Sequence, residues 1–382
     1  MNLMIMKILK TIKMIIKILK DIFSLFSLLN KKKNLVFFSE SKHYSKYFKP
    51  LIIDLIKNDI EFIYICKNDD PLIGDLNKKN LKVFNFIFFL SNVFSIINCK
   101  YLVLTTPDIG KKRLKRSMLC EKIIYLFHSP VSTHMIYNEG AFDNFDKIFC
   151  IGSHQYHELN ERFQEINKTV DLNKIGYPYL DYLRNQINIK KNYRVNTILI
   201  APSWNSVNAD YYKIYFKDLI KILLEKNYCV IFRPHPEFVK RYKKNYFDFI
   251  SVFMNSNNFY IDENENSFEA QSKSEILISD WSGISFEFAF SFERPVIFID
   301  TEKKILNQNY LKSKFSPIEI SKRDEIGIIV EKENVSNILN YIDQLRQKKS
   351  FFESKIKKLR LEIVYNLDIS VETIIKYFKK NI

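Results

Sequence analysis

The chain has 382 residues, 47% hydrophobic and 27% charged, which excludes a disordered polymer and fits about two domains at roughly 100–200 residues each. Only 7 Gly and 10 Pro argue against collagen-like and turn-dense architectures, and five Cys without metal-type spacing argue against a disulfide framework and for a reducing compartment. The formal net charge is +16, yet residues 1–33 hold eight Lys against one Asp, so the body of the chain is only modestly basic.

In that first stretch Lys7, Lys10, Lys13, Lys17 and Lys20 fall within an arc of about 140° on a helix, and the rest of its surface is Met, Ile and Leu. A membrane span needs about 20 apolar residues, and the lysines interrupt every run. No unbroken apolar centre with a cleavage site marks a signal peptide. The pattern predicts an amphipathic helix over 1–33, lying in a membrane interface with its lysines against anionic headgroups. An amphipathic helix packed on its own domain would show the same periodicity.

Beyond residue 33, short apolar strands alternate with amphipathic helices. The first series of predicted strands is Asn34–Phe38, Phe62–Cys66, Leu81–Phe86, Tyr101–Thr105, Lys122–Phe127 and Lys147–Ile151. The second is Thr197–Ala201, Cys229–Arg233, Phe259–Ile261, Ile276–Ser279 and Pro295–Ile299. Strands separated by helices imply right-handed βαβ units and parallel sheets. The reading is α/β with two Rossmann-like domains, 34–190 and 191–345, a cleft between them, and a C-terminal helical segment over 346–382.

Ligands in open α/β sheets bind beyond the carboxyl ends of the strands. Both Trp of the chain (Trp204 and Trp281), His128, His235 and Gly283 gather there. His128-Ser129-Pro130 offers a general base at a strand end, with His134 as a candidate acceptor-side partner behind it. Arg233-Pro234-His235-Pro236 is a rigid turn whose Arg can fork onto a phosphate and whose imidazolium can share the charge. Ser279-Asp280-Trp281-Ser282-Gly283, continuing through Ser285 to Glu287, passes from a strand into a helix whose first N–H groups favour an anion. Ala201-Pro202-Ser203-Trp204 opens the second domain at a position suited to phosphate or base contacts. Each string has a plainer reading, as a helix cap or a turn whose Arg pairs with a carboxylate.

No GxGxxG or P-loop string is present, and no His/Asp/Glu cluster has metal spacing, so neither metal nor cofactor is expected. The basic run Lys111, Lys112, Arg113, Lys115 and Arg116 fits an anionic acceptor, lipid headgroups or a solvated face. No helix-turn-helix, zinc-finger or RNA-recognition string is present, so nucleic acid is not an expected partner.

Together the strings resemble the CDP-glycerol:glycerophosphotransferase family of teichoic acid primases and polymerases. His128-Ser129-Pro130 stands where that family has His-Gly-Thr-Pro. Arg233-Pro234-His235-Pro236 matches its Arg/Lys-x-His-Pro turn, Ala201-Pro202-Ser203-Trp204 its Ala-Pro-Thr-Trp, and Ser279–Glu287 its Ser-Asp-Tyr-Ser-Ser string. The resemblance covers residues 100–300. It departs at Ser129, where Gly is usual, at Gly283, where the second Ser is usual, and at Glu287, where Asp is common.

The resemblance implies a GT-B fold and peripheral attachment at the cytoplasmic face of a bacterial membrane. It implies transfer of a phosphopolyol unit from a CDP-linked donor to a glycan or lipid-linked acceptor in teichoic acid or capsule synthesis, with release of CMP. His128 is then the candidate base and His235 a second catalytic group. Arg233, Ser203, Trp204, Ser279, Asp280, Ser282, Gly283, Ser285 and Glu287 are the donor-binding candidates, with Ser129 and His134 on the acceptor side. A GT-B glycosyltransferase using a nucleotide sugar is the alternative, because the same fold and phosphate-holding elements serve it.

Overall fold

The computed structural model describes residues 2–29, 32–77, 81–111, 114–189, 194–205 and 207–382; Lys31, Lys112, Arg113 and the Lys7 side chain lie outside the described part. Two wholly parallel sheets form the frame. The first holds β1 (Lys33–Ser39), β2 (Ile63–Lys67), β3 (Val83–Phe86), β4 (Cys99–Leu104), β5 (Cys120–Leu126), β6 (Lys147–Cys150) and β7 (Asp171–Lys174), in the order 3-2-1-4-5-6-7. The second holds β8 (Thr197–Ile200), β9 (Cys229–Phe232), β10 (Phe259–Ile261), β11 (Ile276–Ser279), β12 (Val296–Asp300) and β13 (Gly327–Glu331), in the order 10-9-8-11-12-13. This is the two-domain GT-B arrangement.

Helices cover both faces of each sheet, so the central strands read as unbroken apolar runs: Leu35 to Phe38, Leu102 to Leu104 and Ile276 to Ile278 are all buried. Strands β7 and β13 escape the sequence reading; both are edge strands, as the predicted β3 and β10 are too. Strand β7 is Asp-Leu-Asn-Lys and buries none of its four residues fully. The order reverses between β1 and β4 and again between β8 and β11, and a crevice opens beyond the carboxyl ends of both pairs.

The N-terminal helix Asn2–Leu29 is held by its second half. Asp21 is fully buried, and its carboxylate accepts the backbone N–H groups of Ile87 (2.9 Å) and Phe88 (2.8 Å) ahead of helix Leu90–Ile96. Lys20 donates to Asn85 at 2.8 Å, and Leu28 enters the first domain's core. From Met6 to Lys17 every described side chain is exposed. The C-terminal stretch forms two helices with different partners. Lys349–Ile363 packs on the second domain, whereas Ser370–Asn381 buries Ile374, Ile375 and Phe378 beside Phe37, Tyr101 and Phe149 of the first sheet. Asp181 fixes that return by accepting the N–H groups of Asp368 and Ser370, each at 2.9 Å, along with the Ser370 hydroxyl.

The domains meet at two of the three departures from the family strings, Ser129 and Gly283. A Cβ placed on Gly283 would lie 2.0 Å from Ser129 Oγ and 2.9 Å from Val131 Cγ1. The Gly283 backbone is ordinary right-handed helix (φ −62°, ψ −17°), so it is the opposing side chains, Ser129 foremost and Val131 behind it, that leave no room for a side chain there. Ser129 and Gly283 thus form an exchanged pair, small where the other is large. Gly283→Ser should lower stability by about 1–3 kcal/mol through overpacking. Adding Ser129→Gly should recover most of that loss, and thermal unfolding of both variants measures it. A double variant no more stable than the single one would show that the two positions are uncoupled.

Candidate functional site

The crevice between the domains is a cleft of about 660 Å³, within the usual range for a small-molecule site. Its first wall comes from the turn after β1, the Pro107–Asp108 loop beyond β4, and the turn after β5. In the last of these, His128 Nδ1 lies 3.1 Å from the Thr105 carbonyl, which accepts its proton, and 3.4 Å from the Tyr125 hydroxyl. That bond leaves Nε2 as the unprotonated nitrogen. The rings of Tyr44 and Tyr47 stand 5.3 and 5.8 Å from the imidazole. Burial pushes the His128 pKa down to about 4; the Thr105 carbonyl resists this, while the positive charges of Lys46 and Lys304 assist it. The ring is therefore neutral at physiological pH, as a general base must be.

The second wall comes from the loops after β8, β9, β11 and β12. Asp280 is the staple behind it. Its buried carboxylate accepts the Ser203 N–H (2.8 and 3.0 Å), the Ser203 hydroxyl (2.8 Å) and the Tyr211 hydroxyl (2.6 Å). This ties the β8 loop to the β11 loop where the strand order reverses. The Ser279 hydroxyl donates to the Ala201 carbonyl at 2.7 Å, and Ser285 is fully buried. The side chains of Ser203, Ser279, Asp280 and Ser285, expected on the donor, thus do not line the cleft; they build the wall behind it. Trp204, Arg233, His235, Ser282, Gly283 and Glu287 do line it, opposite His128 and Ser129.

Trp204 offers a half-buried ring 6.1 Å from that of His235, with the Arg241 guanidinium 4.9 Å from its ring centre. Arg233 donates through Nη1 to Asp262 at 2.6 Å, so part of its fork is already engaged. His235 departs from its expected role as a cation. Its Nδ1 accepts the Glu237 N–H at 3.2 Å and caps helix Pro236–Arg241, so the ring proton sits on Nε2, and burial holds the pKa far below the ordinary histidine value. It is a neutral donor. The buried Glu287 carboxylate accepts the Tyr177 hydroxyl (3.3 Å) and the Gln271 amide (2.9 Å), and Tyr177 also lies 3.0 Å from the His128 carbonyl.

His134 lies elsewhere, in a neighbouring cavity of about 330 Å³, where Nδ1 is 3.2 Å from Glu158 and Nε2 is 3.0 Å from the Phe315 carbonyl. His154 has both ring nitrogens buried, whereas His157 is exposed. Among the cleft groups absent from the sequence reading are Tyr44, Lys46 and Lys304. All three follow strand ends, after β1 or β12, so the rule that singled out His128 applied there too. Lys46 lies 4.9 and 5.1 Å from the Tyr47 and Tyr179 rings, and burial brings its pKa down to about 8. Among the described residues no group of three or more His, Cys, Asp or Glu is placed to hold a metal ion.

The fold is shared with solved structures of low sequence identity. The wall teichoic acid polymerase TagF superposes with a TM-score of 0.63 at 17% identity, covering 98% of this chain and 97% of that one. The UDP-GlcNAc 2-epimerase of Neisseria meningitidis, solved with UDP-GlcNAc bound, gives 0.58 at 15% identity, covering 91% and 100%. A search of the curated proteins returns no match. The family model described as CDP-glycerol:poly(glycerophosphate) glycerophosphotransferase matches residues 22–365, nearly the whole chain. On that match, this chain belongs to the CDP-glycerol:poly(glycerophosphate) glycerophosphotransferase family.

Proposed function

We propose that the chain transfers glycerol phosphate from CDP-glycerol to a hydroxyl of a glycan or lipid-linked acceptor at the cytoplasmic face of a membrane. The observation that carries the reaction is the neutral His128 ring, fixed by Thr105 with Nε2 unprotonated, in one cleft with Arg233 and the N–H of His235. His128 Nε2 takes the proton of the acceptor hydroxyl. The acceptor oxygen bonds to the β-phosphorus as the bridging P–O bond breaks, its electron pair leaving with CMP. Arg233, His235 Nε2–H and the Ser282–Gly283 backbone hold the phosphates in line, and Trp204 gives the nucleotide base a ring to stack on. Ser129 meets the acceptor beside His128.

The same proposal extends to the membrane. No described helix is long and apolar enough to cross one. Helix Asn2–Leu29 carries exposed Ile8, Leu9, Ile12, Ile15, Ile16, Leu19, Phe23 and Phe26 between its lysines. Such a surface suits the boundary between headgroups and acyl chains. Changing Lys7, Lys10, Lys13, Lys17 and Lys20 to Glu should release the protein from anionic vesicles in a flotation assay; retained binding would overturn this part.

Calorimetric titration with CDP, CMP, UDP and GDP tests the donor. Preference for cytidine nucleotides is expected, and preference for UDP or GDP would redirect the function to nucleotide sugars. His128→Ala should lower kcat by about 100-fold or more, and near-normal turnover would remove the base role. Because the neutral ring is the active form, activity is lost as pH falls through its pKa. The acid limb of kcat/KM should lie near the free-enzyme value of about 4. The limb of kcat should lie higher, since bound phosphates stabilise the imidazolium. A kcat/KM limb at or above 6.5, the ordinary histidine value, would assign the base to another group.

A further inference from the structure

Lys304 lies in the loop that leaves β12, and the loop is tied down on both sides of it. Trp281 Nε1 donates to the Thr301 carbonyl at 3.1 Å, and the Leu306 N–H crosses to the Met135 carbonyl of the first domain at 2.9 Å. Lys303 is exposed, whereas Lys304 turns inward and lines the cleft with His128, Arg233, His235 and Gly283. Its charge is felt at both His128 and His235.

The ammonium makes no ion pair with any described carboxylate. The acids that act on it are Asp280 and Glu319; Asp280 is engaged with Ser203 and Tyr211, and Glu319 accepts the Ser132 N–H through Oε1 at 2.8 Å, its Oε2 making no hydrogen bond among the described residues. A desolvated cation without a partner is costly, and burial accordingly lowers its pKa. An anion entering the cleft removes that cost. The need for a full positive charge is specific here, because His235 is neutral and Arg233 already spends one Nη group on Asp262.

We infer that Lys304 is a further substrate-binding catalytic residue, holding the non-bridging oxygens of the donor's diphosphate between His128 and His235. Its ammonium binds the charge that builds on the departing nucleotide phosphate. The inference rests on the nucleotide-donor reading above and adds a ligand to it.

The test uses the full chain and calorimetric titration with CDP and with cytidine, for the wild type, Lys304→Met, Lys304→Arg and the neighbouring control Lys303→Met. Lys304→Met should weaken CDP about 10-fold or more while leaving cytidine unchanged, because only the phosphates lose a partner. Lys304→Arg should keep most of the affinity, and Lys303→Met should bind as the wild type does. If Lys304→Met does not fold, Lys304→Gln replaces it. A folded variant without the cation that binds CDP as tightly as the wild type overturns the role. A wild type that prefers UDP or GDP overturns the choice of donor alone, and the same variants then test Lys304 with that nucleotide. A wild type that binds no nucleoside diphosphate overturns both.

Discussion

The site depends on how closely two backbones pass. The turn after β5 and the turn after β11 meet where Gly283 presents no side chain to Ser129. Tyr177 secures the same seam, its hydroxyl lying between the His128 carbonyl and the Glu287 carboxylate. Opening this contact by the width of one methyl group would move His128 away from Arg233 and His235 together. Interiors and close interfaces do not yield continuously, so the complementarity of positions 129 and 283 is a condition for one cleft rather than two half-sites.

Behind this seam the division of labour is electrostatic. Burial keeps both cleft histidines neutral. Their hydrogen bonds nevertheless give them opposite abilities. Thr105 takes the Nδ1 proton of His128 and leaves Nε2 able to accept, whereas Glu237 N–H occupies Nδ1 of His235 and leaves Nε2 able to donate. Two identical side chains become an acceptor and a donor through one backbone bond each. Positive charge comes instead from Arg233 and from the cleft lysines, Lys46 on helix Ser45–Lys57 and Lys304 on the loop after β12.

Most of the frame was legible in the sequence because the central strands are buried on both faces and carry no polar interruptions. Strand β7 was not, since Asp-Leu-Asn-Lys offers no apolar run; β13, whose Ile328 to Val330 do form one, was passed over. At the site, the search beyond strand ends found His128, Arg233 and His235 because His and Pro are scarce and conspicuous. It passed over Lys46 and Lys304 because lysine is abundant in this chain and only a folded wall distinguishes an enclosed lysine from a solvated one. The serines and Asp280 were legible as a cluster and not as wall, because a loop has no periodicity to say which way a side chain faces. Asp280 shows the cost of that ambiguity: an acid set among the candidate donor-binding residues accepts its hydrogen bonds from Ser203 and Tyr211.

The return of the last helix to the first domain has a mechanical consequence. The chain passes between the domains twice, once after helix Pro178–Ile189 and once between Ile363 and Ser370. The second passage lies against the start of that same helix, where Asp181 grips Asp368 and Ser370 and Arg184 reaches Asp368 at 2.8 Å. The first leaves from its far end, about 18 Å away for 12 helical residues. Two crossings anchored at opposite ends of one helix constrain the relative placement of the two sheets more than a single linker would, and so help keep Ser129 seated against Gly283.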